Sequence, residues 1–146
     1  MKYTCEISLD LPRQRVIELF DNPENLAKWQ TGLKSFEYFE GLEGQPGAKS
    51  RLLYDEGGRE IEMVETIIVR NLPDEFSATY EAKGVYNEIS NFFHETGENQ
   101  TRWVMNSEFK FSGLMRLMGI FMRGAFPKQT LKSMQSFKNF AESEGA

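Results

Sequence analysis

The chain of 146 residues has one cysteine, Cys5, and one histidine, His94. No internal disulfide can form, which suits a reducing compartment. One thiol and one imidazole cannot build a metal cage from those donors, and any Ser-His-Asp or Cys-His nucleophile system would have to be built on His94. No metal and no cofactor are expected. Long apolar runs are also missing: no stretch approaches the length of a membrane-spanning helix, and Met1-Lys2-Tyr3-Thr4-Cys5-Glu6 has no signal-peptide apolar run. A soluble, cytoplasmic protein without stable membrane insertion is predicted. Positive charge is scarce too, with 17 Lys and Arg against 22 Asp and Glu for a net charge of −5. No cationic cluster precedes the C-terminal third, which argues against a nucleic-acid partner. Internal repeats, low-complexity tracts and linkers are absent, so residues 1–146 read as a single domain.

Aromatic residues are plentiful: twelve Phe, five Tyr and two Trp. Such a surplus fits a core that surrounds a space as well as fills one, and a merely aromatic-rich core fits it equally. Residues 2–10 alternate, with Tyr3, Cys5, Ile7 and Leu9 on one face, the period of a half-buried strand. Asp10 then reads as a helix N-cap, with Pro12 early in a helix that carries Val16, Leu19 and Phe20. A second short helix begins near Asn22-Pro23, carries Leu26 and Trp29, and ends by Gly32.

A long strand-rich region follows. Gly57-Gly58 sits at the tip of a two-residue hairpin. Pairing Glu56 with Arg59 sets Tyr54 opposite Ile61, Leu52 opposite Met63 and Ser50 opposite Glu65 on one face; a one-residue slip would turn charges inward. Phe76, Ala78 and Tyr80 share a face of the next strand. In the last strand Trp103, Met105, Phe109 and Phe111 point inward. The final hairpin leaves two registers open. An odd loop places Asn87, Ile89, Asn91 and Phe93 inside, and an even one places Tyr86, Glu88, Ser90, Phe92 and His94 beside Trp103. His94 reads as an exposed strand residue rather than a catalytic base.

After Gly113 the apolar period changes to that of a helix, through Leu114, Leu117, Met118, Phe121, Met122, Phe126, Leu131, Met134, Phe137 and Ala141. Residues 114–126 form either the first part of a long bent helix or a short separate helix before a main one starting at Pro127. Their apolar residues are too many for one face, so part of the segment is exposed or covers a cavity mouth. Arg116 and Arg123 flank it, and Lys128, Lys132 and Lys138 lie on the polar side of the last helix. A basic fringe on an apolar helix can touch an anionic membrane surface, although a solvated helix face is commoner.

The order β, two short helices, a long antiparallel run and one terminal helix resembles the START-like superfamily of helix-grip proteins, the polyketide cyclase/dehydrase and lipid-transport group. Local echoes are Asn22 to Trp29, the glycine-bounded turn Gly41 to Gly47, Thr101-Arg102-Trp103 and Phe137 to Glu142. The resemblance covers about residues 2–143. It implies an α+β helix-grip fold, with a curved antiparallel sheet wrapped around a long C-terminal helix and two short helices after the first strand. It also implies a small hydrophobic ligand, such as a lipid, quinone or polyketide, between sheet and helix. The group shares no catalytic motif, so no catalytic residue transfers.

The expected ligand-binding residues are Tyr54, Met63, Glu65, Tyr80, Asn87, Asn91, Trp103, Met105, Phe109, Phe121 and Met134, around a cavity of roughly 300–1,000 Å³. Glu65 stands between Met63 and Ile67 in an apolar stripe, where desolvation would raise its pKa; it is the catalytic candidate, with a tyrosine such as Tyr54 or Tyr80 as its proton-transfer partner, unless the strand bulges and Glu65 reaches solvent or pairs with an Arg. A non-catalytic carrier or sensor is the first reading. A cyclase or dehydratase using the same cavity is the second, and a protein-binding module or homodimer contact through residues 114–126 the third. If the cavity is real, the same segment is predicted to be its mobile gate.

Overall fold

The computed structural model describes residues 1–145. Strand β1 (Lys2–Leu9) alternates as its sequence demands, with Cys5 and Leu9 buried and Lys2, Thr4, Glu6 and Ser8 exposed. Helix α1 (Arg13–Phe20) buries Val16 and Leu19, but Asp10 is not its cap. Leu11 must first reach the core, where its carbonyl accepts the buried Thr101 hydroxyl at 2.9 Å. The chain therefore stays extended until Pro12, which occupies the N-cap at φ −58°, ψ 145° with no side-chain cap. Asp10 instead donates its amide to Glu142 at 2.7 Å, pinning the end of the strand to the last helix. A 3-10 turn (Pro23–Asn25), capped by the Asn22 side chain on the Glu24 amide at 3.0 Å, leads into α2 (Leu26–Trp29).

Six more strands complete one antiparallel sheet: β2 (Leu33–Glu40), β3 (Lys49–Glu56), β4 (Arg59–Asn71), β5 (Glu75–Ala82), β6 (Val85–Gly97) and β7 (Gln100–Phe111). Its order, β1-β7-β6-β5-β4-β3-β2, pairs the first strand with the last. The Gly57-Gly58 hairpin holds the register its charges predict, Glu56 opposite Arg59 and Ser50 opposite Glu65, with both glycines at positive φ. In the final hairpin Glu95 faces Thr101, and a bulge precedes a tight turn between Gly97 and Gln100. This is the odd-loop register, which puts Asn87, Asn91 and Phe93 inside. The alternative would have carried the charge of Glu88 to the buried face.

Residues 114–126 resolve into a separate short helix, α3 (Met115–Phe121), before α4 (Ala125–Gly145). The main helix thus starts two residues ahead of Pro127, whose missing amide costs nothing in the first turn. Met134, Phe137 and Ala141 form the fully buried stripe of α4, while Leu131 lies off it and is 45% exposed. Lys138 donates to the Ser8 carbonyl at 2.6 Å and pairs with Glu142 at 3.6 Å, so the far end of α4 is fastened across β1. Aromatics pack this end of the concave face. Phe20 lies 5.0 Å from Phe93, 5.7 Å from Trp103 and 6.0 Å from Phe137, ring centre to ring centre.

Candidate ligand cavity

The other end of the concave face is not filled. Strand registers there place Ser50 opposite Glu65, Glu65 opposite Tyr80, and Tyr80 opposite Asn87, so four polar residues form one row across four strands. Apolar rows flank it: Leu52 and Met63 on one side, Ile67, Ala78 and Ile89 on the other. A cavity of about 430 Å³ lies against these rows, closed from α4 by Gln129, Thr130 and Ser133. Exposed Asp21, Pro23 and Glu43 also border it, so it opens to solvent between the loop after α1 and the β2–β3 loop.

Glu65 is 9% exposed and belongs to no ion pair among the described residues. Tyr80 donates its hydroxyl to Glu65 Oε2 at 2.8 Å, whereas Oε1 has no hydrogen-bond partner among the described residues. Burial raises the Glu65 pKa, and the Tyr80 hydrogen bond opposes that rise only in part. The Tyr80 and Tyr54 phenols are also pushed upward, each first by burial and then by the Glu65 charge, so both remain protonated donors at neutral pH. Tyr54 donates to Gln30 Oε1, tying the segment after α2 to the sheet. Such a carboxyl can accept from, or when protonated donate to, a polar group on a guest molecule.

Of the residues expected to bind ligand, Tyr54, Met63, Glu65, Tyr80, Asn87, Asn91, Trp103 and Met105 border the cavity. Two of these spend their amide nitrogens inside the protein, and Asn91 its oxygen as well. Asn91 donates to the Phe76 carbonyl at 3.2 Å and accepts from Trp103 Nε1 at 2.9 Å. Asn87 donates to Ser107 Oγ at 2.9 Å and to the Glu108 carbonyl at 3.1 Å.

Three others lie elsewhere. Phe109 is covered by Phe126, whose ring is 4.8 Å away, and stacks on Tyr3 and Phe111. Met134 is fully buried in the aromatic core. Phe121 is 84% exposed on α3, and no residue of 114–126 borders the cavity, which removes the basis for a gate there. The physical reasons differ: Phe126, where the chain turns into α4, covers Phe109, the aromatic core encloses Met134, and the contacts of Met115 with Gly84 and of Gly119 with Phe111 seat α3 outside.

Sequence reasoning missed Phe36, Tyr38, Gln30 and Arg70. The alternation of Phe36 with Tyr38 could have revealed the first two. Arg70 carried no signal, because a bulge between Ile67 and Val69 brings it back to the inner face. There it forms a two-pronged ion pair with Asp21 at the cavity mouth, at 2.8 and 2.5 Å. Among the described residues, no group of three His, Cys, Asp or Glu could hold a metal ion.

No protein-family model matches this sequence, and no curated protein matches it. Solved structures do match in shape. The Zhui aromatase/cyclase from Streptomyces sp. R1128 superposes with a TM-score of 0.80 at 13% identity, over 97% of this chain and 93% of that one. Ara h 8.0201 gives 0.76 at 13% over 98% of both chains. A norcoclaurine synthase point mutant from Thalictrum flavum, in complex with a transition-state analogue, gives 0.75 at 11% over 100% and 96%. The chain shares the helix-grip fold of these solved structures.

Proposed function

We propose that the chain binds a small hydrophobic molecule, of the lipid, quinone or polyketide kind, in the cavity between sheet and α4, as a carrier or sensor. The observation that carries this reading is Glu65, a buried carboxyl without a cationic partner, set in a polar row on an apolar wall. A core built only for stability would gain by replacing it, since an unpaired buried carboxyl is costly. Facing a cavity, the same carboxyl and the Tyr80 hydroxyl can instead orient an apolar guest through one or two oxygen atoms. A volume of about 430 Å³ falls within the range of small-molecule sites.

Native mass spectrometry of the protein purified from its own source, together with titration by an apolar fluorescent probe, tests the proposal. A retained small-molecule mass and one-to-one probe binding are expected. Ser50→Phe, which fills the polar end of the cavity, is expected to weaken probe binding at least tenfold in protein that still melts cooperatively. Failure of the wild type to bind any apolar probe would sink the reading.

A second reading has one specific observation in its favour. The Tyr80 to Glu65 hydrogen bond joins a proton donor to a carboxyl of raised pKa, which is the equipment of proton transfer in a cyclisation or dehydration. In that case Glu65→Gln abolishes turnover of a polyketide-like substrate while binding survives.

A further inference from the structure

Helix α3 is attached to the protein along one narrow line. Met115 presses into a space that only glycine leaves at position 84, where an added Cβ would stand 2.7 Å from the Met115 side chain. Gly119, the one buried residue of α3, sits on the Phe111 ring, 2.6 Å from where its own Cβ would be. Most of the other bulky residues on α3 and just before it point away from the fold. Leu114 is 86% exposed, Phe121 84%, Ile120 70% and Leu117 57%. Leu114, Leu117 and Phe121 follow one another at helical spacing, so they form a single apolar ridge.

The stretch of chain that carries this ridge has charge of one sign. From Phe109 to Ala141 the chain carries Lys110, Arg116, Arg123, Lys128, Lys132 and Lys138 and no carboxylate, although the whole chain has a net charge of −5. Arg116 and Arg123 are exposed beside the ridge, and Lys128 and Lys132 are exposed in the first two turns of α4. None of these four forms an ion pair among the described residues.

We infer that α3 and the start of α4 form a docking surface for an anionic lipid bilayer, on which the protein sits peripherally with Leu114, Leu117, Ile120 and Phe121 in the headgroup region. Exposed bulky apolar groups gain by leaving water, and juxtaposed cations gain from the negative surface potential of acidic lipids. A second copy of the chain is a poorer occupant. A two-fold contact would bring this cation-rich stretch against itself, with no carboxylate in residues 109–141 to offset the repulsion. No described helix is long and apolar enough to span a bilayer, so the contact is interfacial.

The full chain, mixed with vesicles of phosphatidylcholine containing about 30 mol% phosphatidylglycerol, tests this by co-sedimentation, with pure phosphatidylcholine vesicles alongside. Partitioning onto the anionic vesicles at least tenfold stronger than onto the neutral ones is expected, falling as salt is raised. Paired substitution Ile120→Ser with Phe121→Ser, and separately Arg116→Glu with Arg123→Glu, are each expected to reduce that partitioning at least tenfold with unchanged melting and circular dichroism. Phe121→Trp supplies a direct reporter, because Trp29 and Trp103 are buried; its emission is expected to shift blue only with anionic vesicles. Equal partitioning onto neutral vesicles, or retention of binding by both paired variants, overturns the inference. So does a concentration-dependent dimer that the same substitutions dissolve while the wild type ignores vesicles.

Discussion

The two ends of the concave sheet face use polar groups in opposite ways. At the core end, Trp103, Phe93, Phe137 and Phe20 fill the space; Trp103 Nε1 donates to Asn91 and Asn91 donates to the Phe76 carbonyl, while Trp29 Nε1 is buried without a hydrogen-bond partner among the described residues. At the cavity end, Ser50, Glu65 and Tyr80 line a void, and Glu65 keeps one oxygen without a protein partner. Both ends hold buried polar residues, so burial alone does not separate scaffold from site. Nor does a missing partner alone: what marks the cavity end is that the unpartnered atom is a carboxyl oxygen on the wall of a void, where a guest can reach it.

The largest effect is expected from Phe137→Ala, which empties the packed end. The side chain is fully buried among Phe20, Trp29 and Trp103, and its loss is expected to cost about 3–5 kcal/mol by urea denaturation. A cost below about 1 kcal/mol would show that the two ends pack alike. Asn91→Leu comes next. It keeps the volume but leaves Trp103 Nε1 and the Phe76 carbonyl without their side-chain partner, so a loss of roughly 1–3 kcal/mol is expected with little change in apolar-probe binding.

Glu65→Gln sharpens the contrast, since it changes a polar residue of the same row system in the opposite direction. Stability at pH 8 is expected to be equal or higher, within about 1 kcal/mol. The sign of the pH dependence follows from the raised pKa. The folded carboxyl holds its proton above the pH at which the unfolded one releases it, so the folded state binds more protons in that interval. Glu65 therefore makes wild-type stability fall as pH rises from the ordinary carboxyl range through the folded pKa, and the variant lacks that fall. Denaturation midpoints of both proteins across pH 4 to 8 provide the check; a wild type that gains stability relative to the variant as pH rises would mark Glu65 as a hidden ion-pair member.

The smallest effect concerns the α3–α4 junction. Nothing lies within 4 Å of where a Cβ on Gly124 would stand. Gly124→Ala is expected to raise stability by about 0.4–1 kcal/mol in thermal melts, by narrowing the unfolded ensemble.

Much of this was readable from residue order. The alternation in β1 and around Gly57-Gly58 placed Ser50, Leu52, Tyr54, Met63 and Glu65 on one face, because a two-residue turn and charged outward positions leave one low-energy register. The register of the last hairpin was not readable, because a Thr96 bulge next to the turn decides it, and local sequence favours neither count. Arg70 was hidden for the same reason.

By itself, then, the order of residues determined the element sequence outside 114–126, the inner faces of regular strands and, Leu131 apart, the buried stripe of α4, all of which follow from local period and the cost of burying charge. Tertiary structure alone decided which inward residues meet a wall and which meet a void. Phe109 shares the strand face of Met105 and Met134 the inward stripe of α4, yet Phe126 covers the first and the aromatic core encloses the second. Phe121 has the helical spacing of a core residue and stays outside, because the close contacts at Gly84 and Gly119 seat α3 on its other side. Periodicity says which way a side chain faces; only the packing of distant elements says what it faces.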